Sequence, residues 1–254
     1  MKTLCTLLVM ATLATFTAAQ DERVSPPPTA KDNVQLLSTQ PGRETAADSD
    51  PFHPPRLPFC PPKTCLYYAG DWESSDSNAN GLFNSNDTAA GLEGQVWVGV
   101  KPNRNVTVTG ATFNEFFTSG FTLTNPTQFA VQVGIKPGQP GKTICSTSGN
   151  AKLKVYGEGD VDVIQYSLTV AKFSKSCRLR KDKVYYVNLL PTSSNGYGYV
   201  TNVEDKKPKN HYGWRNDLDD CYFNGAAFNA DYVTCNSQGA FDELSIALTG
   251  KKTK

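Results

Sequence analysis

The feature that most constrains this chain is a two-residue alternation of apolar and polar side chains. It occurs at residues 129–135, 164–170 and 244–248, where every second residue is a large apolar one. A period of two over such lengths is typical of strands that are buried on one side. No segment carries the 3.6-residue apolar stripe of an amphipathic helix, and residues 114–117 predict one helical turn at most. The chain is therefore expected to fold from strands.

Short segments rich in Val, Tyr, Phe and Thr recur after residue 64, separated by Gly, Asn, Pro and Ser. Nine of them are predicted strands: 65–69, 94–100, 105–113, 128–136, 151–157, 162–173, 183–191, 196–201 and 242–250. A parallel α/β fold would need crossover helices, and none is predicted. The pattern predicts an all-β domain over residues 64–250, an antiparallel β-sandwich or jelly roll, followed by a polar tail at 251–254.

The N-terminal segment has the organisation of a secretory signal. Lys2 precedes an apolar run from Leu4 to Phe16, and Thr17-Ala18-Ala19 is a small-residue cleavage site. The run is short for a membrane anchor, the alternative interpretation. Residues 1–19 are predicted to be a cleaved signal peptide, so the protein is expected to be secreted, extracellular or periplasmic, with no membrane span.

Residues 20–63 form a different kind of segment, with 10 of the 16 prolines of the chain and few aromatic residues. A segment of this composition buries too little apolar surface to offset its ordering entropy. We predict a disordered, proline-rich linker that connects or tethers the folded domain.

Six cysteines remain after removal of the signal: Cys60, Cys65, Cys145, Cys177, Cys221 and Cys235. An even number in an exported chain predicts disulfides, although six cysteines allow 15 pairings. Sequence order favours Cys60–Cys65, Cys145–Cys177 and Cys221–Cys235, because each pair closes a local loop. A zinc site is the alternative, but the spacings lack the paired pattern that zinc sites show.

The charge of the chain is balanced. Its formal net charge is +1, and removing residues 1–19 deletes Lys2 and no acid, which leaves 0. The basic run at 206–209 follows Glu204-Asp205 and is interpreted as a solvated loop. Because the total is neutral, no nucleic-acid partner is expected.

Residues 76–87, DSNANGLFNSND, have the spacing of a calcium loop. Oxygen-bearing side chains stand at positions 1, 3, 5, 9 and 12, with glycine at position 6, and these candidate ligands are Asp76, Asn78, Asn80, Asn84 and Asp87. The pattern resembles the loop of dockerin repeats, but the entering and following helices of such loops are absent here. The alternative is an Asn/Asp/Gly-rich surface loop whose side chains bond their own backbone. Calcium is the only cofactor that the sequence suggests.

Residues 211–225, HYGWRNDLDDCYFNG, mix aromatic rings with amides, carboxylates and an arginine. Sugar-binding surfaces use this mixture, because rings stack on the apolar face of a pyranose while polar groups bond its hydroxyls. The candidate ligand-binding residues are Tyr212, Trp214, Arg215, Asp217 and Tyr222. The same residue types also cap sandwich cores, so core packing remains the alternative.

No catalytic centre is predicted. The only histidines are His53 and His211, and neither a G-x-S-x-G nor an H-E-x-x-H motif is present. A glycosidase needs two facing carboxyl groups, but the sequence does not pair its loop acids. Glu115 is the unusual acid, because it adjoins Phe116-Phe117 and burial would raise its pKa. Asn86 and Asn105 stand in N-x-T triplets and are candidate glycosylation acceptors.

Several strand-and-turn patterns resemble exported bacterial β-sandwich domains of uncertain function. The patterns are LYYAGDWES, VTVTGATFNEFF, IKPGQPGKTICS, LRKDKVYYVNLLP and GAFDELSIALTG, spread over residues 65–250. The resemblance implies a jelly-roll-like sandwich and an exported location, with no catalytic residues to carry over. The chain differs from that group by ending in KKTK, without an apolar anchor.

Three functions are compatible with these observations. The first is an exported, non-catalytic sandwich that binds a ligand, most plausibly a carbohydrate. The second is a secreted polysaccharide hydrolase or lyase, and the third is a structural extracellular module.

Overall fold

A computed structural model of the protein describes residues 60–61, 63–70, 81–118, 120–158, 163–201, 221–235 and 244–253. The predicted signal peptide and nearly all of the proline-rich segment lie outside these residues. The elements are, in chain order, β1 Cys65–Tyr68, β2 Gly81–Phe83, β3 Ser85–Asp87, β4 Leu92–Val100, β5 Val106–Thr118, β6 Leu123–Val133, β7 Lys142–Gly149, β8 Lys152–Glu158, β9 Val163–Val170, β10 Cys177–Leu179, β11 Tyr185–Ser193, β12 Gly198–Thr201, β13 Cys221–Gly225, the 3-10 helix Ala226–Phe228, β14 Ala230–Thr234 and β15 Ile246–Lys252.

The first of two sheets has eight strands arranged around the long strand β5. On one side of β5 lie β15 and β12, which pair further out with β1 and β2. On the other side lie β10 and β9, and β9 pairs further out with β8. Strands β10 and β9 follow one another along one side of β5, while β15 and β12 do so along the other. Every pairing in this sheet is antiparallel, so β5 is its central support.

The second sheet has seven strands in the order β14-β13-β4-β3-β11-β6-β7. Its pairings are antiparallel except for the short parallel contact between β3 and β11. The predicted all-β, mainly antiparallel sandwich is therefore confirmed.

The core lies between the two sheets and comes from the alternating positions of their strands. Phe113 and Phe117 of β5 are fully buried, as are Val187 and Leu189 of β11. The alternation predicted at 129–135 holds through Val133 and then fails. Gly134 has φ +73°, a left-handed conformation that ends the extended strand, so Ile135 joins a separate apolar cluster on the seven-stranded sheet.

All three predicted disulfides are present: Cys60–Cys65, Cys145–Cys177 and Cys221–Cys235. The second is the one that joins the two sheets, because Cys145 belongs to β7 and Cys177 to β10. The third closes the β13–β14 hairpin. Bonds of this kind are typical of oxidising, non-cytoplasmic compartments.

The predicted helical turn at 114–117 is wrong. Strand β5 continues to Thr118, because residues 115–117 pair with β9 on one side and β12 on the other. The prediction also missed six strands: β2, β3, β7, β10, β13 and β14. Five of them have five residues or fewer, and β7 is a largely exposed edge strand, so the apolar alternation is absent or weak. In the described residues no helix is long and apolar enough to cross a membrane.

Candidate functional site

The predicted calcium loop is replaced, in its described half, by two strands. Asp76, Asn78 and Asn80 lie outside the described residues, whereas Asn84 connects β2 to β3 and Asp87 ends β3. Asp87 Oδ1 accepts hydrogen bonds from the backbone N–H groups of Ala89 and Ala90. This is the local turn chemistry of the alternative interpretation, and calcium binding itself remains a prediction.

Asn84 is not oriented toward a surface loop, because its side chain is fully buried. Its Nδ2 donates to Glu115 Oε1 at 2.9 Å and to Leu189 O at 2.8 Å. Its Oδ1 accepts from Val96 N at 3.0 Å and from Asn188 Nδ2 at 2.8 Å. Both ends of the amide are thus hydrogen-bonded to groups of the protein interior. We call Asn84, Glu115 and Asn188 the buried polar network.

Glu115 was singled out by its aromatic neighbours, and it is fully buried. Burial raises the pKa of its carboxyl well above the ordinary value, and the hydrogen bond from Asn84 lowers it by a smaller amount. Its Oε2 atom has no hydrogen-bond partner. Glu115 therefore lies in the core, where its carboxyl has no contact with solvent.

Of the predicted ligand-binding residues, Tyr222 alone is described. Tyr212, Trp214, Arg215 and Asp217 lie outside the described residues and precede β13 in the chain. Tyr222 is the second residue of β13 and lies opposite Trp97 of β4. Tyr222 is therefore the one residue of this predicted set whose position on the seven-stranded sheet is described.

Tyr222 belongs to an apolar cluster on the outer face of the seven-stranded sheet, which we call the aromatic floor. Its members are Trp97, Ile135, Tyr186, Tyr222 and Tyr232. The rings of Tyr186 and Tyr222 meet edge to face at 5.3 Å. Trp97 retains only 3% of its exposure, so these rings form the base of the outer face and are not a projecting row. Trp72 and Trp214 lie outside the described residues.

Hydrogen-bonding side chains continue the same outer face beyond the aromatic floor. Glu93, Gln95 and Trp97 alternate on β4, where Gln95 Nε2 donates to Glu93 Oε1 and Trp97 Nε1 donates to Gln95 Oε1 at 3.2 Å. Asn224 of β13 lies opposite Gln95, and Asn86 of β3 lies opposite Glu93. We call Asn86, Glu93, Gln95 and Asn224 the polar strip.

The side chains of the polar strip are at least partly exposed to solvent, whereas those of the aromatic floor are buried. Glu93 is exposed, and the other three members are partly exposed. One carboxylate and three amides on neighbouring strands provide donors and acceptors in a row, beside apolar rings. Gln95 and Asn224 were not predicted as site residues. The available signal was the alternation of Glu93, Gln95 and Trp97, which places a carboxylate, an amide and a ring on one face of a strand.

The described part of the chain contains no candidate metal centre. No three His, Cys, Asp or Glu side chains come together there, and both histidines lie outside it. The comparisons with known proteins add no name, because no family model, curated protein or solved structure matches the chain. Function is therefore inferred from the chain's own residues.

Proposed function

We propose that this protein is an exported, non-catalytic β-sandwich that binds carbohydrate on the outer face of its seven-stranded sheet. The observation that carries the proposal is the polar strip beside the aromatic floor. Glu93 and Gln95 on β4 and Asn224 on β13 are held side by side by strand pairing. Tyr222, the described member of the predicted ligand-binding residues, lies two residues before Asn224 on the same strand.

The chemistry of the strip suits sugar hydroxyls. A hydroxyl both donates and accepts, and a carboxylate next to amides offers the complementary groups at strand spacing. The hydrogen bonds from Gln95 to Glu93 and from Trp97 to Gln95 orient the strip before a ligand arrives. Preorganised groups of this kind lose little conformational entropy on binding.

Export is supported by the signal-like N-terminal sequence together with the three disulfides. An exported protein meets polysaccharides of cell envelopes and extracellular matrices, which makes carbohydrate the most accessible ligand class. A catalytic role has less support. Glu115, the acid with the shifted pKa, is sealed in the core, where it cannot protonate a glycosidic oxygen.

The experiment is a glycan array followed by calorimetry with the best neutral glycan. The test variant combines Glu93→Gln with Asn224→Ala, which removes one carboxylate and one amide from the strip. We expect about tenfold weaker binding, because two or three hydrogen bonds to the ligand are lost. A further variant, Trp214→Ala, tests whether the loop before β13 contributes.

The matched control combines Asp231→Asn with Gln128→Ala. Both side chains are exposed, and the pair makes the same change of charge and amide number outside the strip. Equal affinity of the control and the wild type supports the proposal. If no glycan binds, or if both variants weaken binding equally, the strip is not the site and a structural module becomes the better account.

A further inference from the structure

Although the total charge of the chain is close to zero, one end of the sandwich is strongly basic. Eight cationic side chains come together there on three segments: Lys101, Arg104, Arg178, Arg180, Lys181, Lys183, Lys251 and Lys252. We call this set the basic pole. Seven of its members are exposed and Lys101 is partly exposed.

Strand pairing and hydrogen bonds bring the three segments together. Arg178 of β10 and Lys251 of β15 lie on either side of Thr107 of β5. Backbone bonds join Asp182 N to Pro102 O at 2.8 Å and Thr253 N to Asn105 O at 3.0 Å. The basic pole is thus a continuous surface made from both sheets and their connections.

Little negative charge opposes these cations. Asp182 is the single acid in segments 101–108, 177–184 and 249–253. Its Oδ2 lies 3.7 Å from Lys181 Nζ, and both side chains are more than 60% exposed. An exposed pair of this kind contributes little to stability. The described part of this surface therefore carries a strong excess of positive charge.

The opposite end of the sandwich shows that the connections do not require cations. Strand β5 has 13 residues, so about 40 Å separate its ends. At its far end, residues 118, 120–123 and 193–197 form the connections β5–β6 and β11–β12 without any charged residue. They are held by bonds such as Thr118 N to Tyr197 O at 3.0 Å and Thr122 N to Asn195 O at 2.9 Å. We call these residues the uncharged connections; the strands beside them carry Asp87 and Glu158.

We propose that the basic pole is a second binding surface, for an acidic polysaccharide that carries carboxylate or sulfate groups. Arginine and lysine recognise such groups by charge-assisted hydrogen bonds. Arg178 and Lys251 are separated by two strand spacings, about 10 Å, and can engage successive charged groups of one polymer chain.

The surroundings of the cations disfavour two other polyanions. Single-stranded nucleic acid is held partly by bases stacked on accessible rings, but Tyr185, beneath Lys183, is buried. Insertion into a membrane surface needs exposed apolar side chains, and Val106 and Leu179 of the pole both face the core. Among the residues that the structure describes, the pole offers charge and hydrogen bonding without exposed rings or exposed large apolar side chains to insert.

The two proposed sites are independent, because the strip and the pole share no residue. The test measures binding of the full protein to polygalacturonate, dextran sulfate and neutral dextran at several salt concentrations. The pole variant combines Arg178→Gln, Arg180→Gln, Lys251→Gln and Lys252→Gln. The matched control combines Lys136→Gln, Lys142→Gln, Lys152→Gln and Lys172→Gln, which are exposed and remove the same charge elsewhere.

We expect the wild type to bind the acidic polymers and not dextran, with affinity that falls as salt rises. The pole variant should bind them at least about tenfold more weakly, while the control stays within about twofold of the wild type. Unchanged melting temperatures establish that both variants are folded. The strip variant should retain this binding, which separates failure here from failure of the proposed function.

Three outcomes would overturn the proposal. The first is no binding of either acidic polymer by the wild type at physiological salt. The second is an equal loss in the pole and control variants, which would make net charge the cause. The third is tighter binding to a single-stranded DNA oligonucleotide or to phosphatidylserine vesicles than to the polysaccharides.

Discussion

The buried polar network and the basic pole both consist of polar or charged side chains from neighbouring strands, but the two sets have different surroundings. Asn84, Glu115 and Asn188 are buried between the sheets, where Asn84 bonds both of the others. At the pole, Arg178 and Lys251 are exposed on the outer face of β5's neighbours. The first set joins strands of the two sheets by hydrogen bonds, whereas the second set lies at the surface.

Burial therefore decides how much a polar side chain contributes to the stability of the fold. A buried polar group without its partner costs about 1–3 kcal/mol, so removing one member of the buried polar network should lower the free energy of unfolding. An exposed cation exchanges one set of water contacts for another when it is removed. The two regions should therefore respond oppositely in stability and in binding.

The largest expected effect follows from Asn84→Ala. The change leaves Val96 N–H, Leu189 C=O and Asn188 Nδ2 short of a partner. We expect the free energy of unfolding to fall by about 3–5 kcal/mol, measured by chemical denaturation. Asn224→Ala, a partly exposed asparagine on β13, should cost about 0.5 kcal/mol or less. A similar small loss for both would mean that the network does not support the fold.

The next effect concerns the disulfide that joins the sheets on the pole side. Cys145 and Cys177 are separated by 32 residues, so replacing both with alanine frees a long loop in the unfolded chain. We expect a loss of about 2–4 kcal/mol in the same denaturation assay. The pair Cys221→Ala and Cys235→Ala, with a separation of 14, should lose less. The reverse order would contradict the loop-closure explanation.

A smaller effect is the pH dependence that Glu115 imposes. Its pKa is raised in the folded protein by burial, so the folded state keeps a proton that the unfolded state releases. Stability should then fall as pH rises from the ordinary glutamate pKa toward the raised one, by at most about 1.4 kcal/mol per pH unit. Tyr199, whose burial raises its pKa to about 12, titrates only in strongly alkaline solution.

Glu115→Gln tests this slope, because glutamine resembles the protonated carboxyl and cannot ionise. Denaturation between pH 5 and 9 should give a flatter profile and a higher neutral-pH stability than the wild type. Glu93→Gln, which changes an exposed carboxyl, should leave the profile unchanged. Identical profiles for the wild type and Glu115→Gln would show that the buried carboxyl does not control the pH response.

The smallest effect on stability should come from the basic pole. Removing Arg178, Arg180, Lys251 and Lys252 relieves repulsion between like charges and breaks no buried contact. We expect a change within about 0.5 kcal/mol, slightly stabilising at low salt and vanishing at high salt. A loss of more than 1–2 kcal/mol would mean that these cations belong to the fold, and the contrast between the two regions would fail.

Local patterns were sufficient for several parts of the fold. The alternation at 129–133 and at 244–248 predicted buried strand faces, and the order of cysteines predicted all three disulfides. The prediction failed at 114–117, where a strand continues because two neighbours pair with it. It also failed at β2 and β3, whose three residues each are too few to show a period and pair with strands from elsewhere in the chain.

The candidate sites were less predictable than the fold. Tyr222 was anticipated, but its burial beside Trp97 depends on the pairing of β13 with β4, which lie far apart in the chain. The spacing of residues 76–87 suggested a calcium loop, whereas the side chain of Asn84 is buried and hydrogen-bonds four groups on three strands. The total charge of the chain did not predict the basic pole, because its cations come from three segments that are distant in sequence.

The sequence alone accounted for nine of the 15 described strands, the disulfide pairs and the concentration of proline before residue 64. These are properties of neighbouring residues, in which side-chain period, spacing and composition act over a few positions. Only the tertiary structure decided which polar groups are buried and which cations lie together. Burial and electrostatic potential depend on distances in space, and strand pairing sets those distances between residues that are remote along the chain.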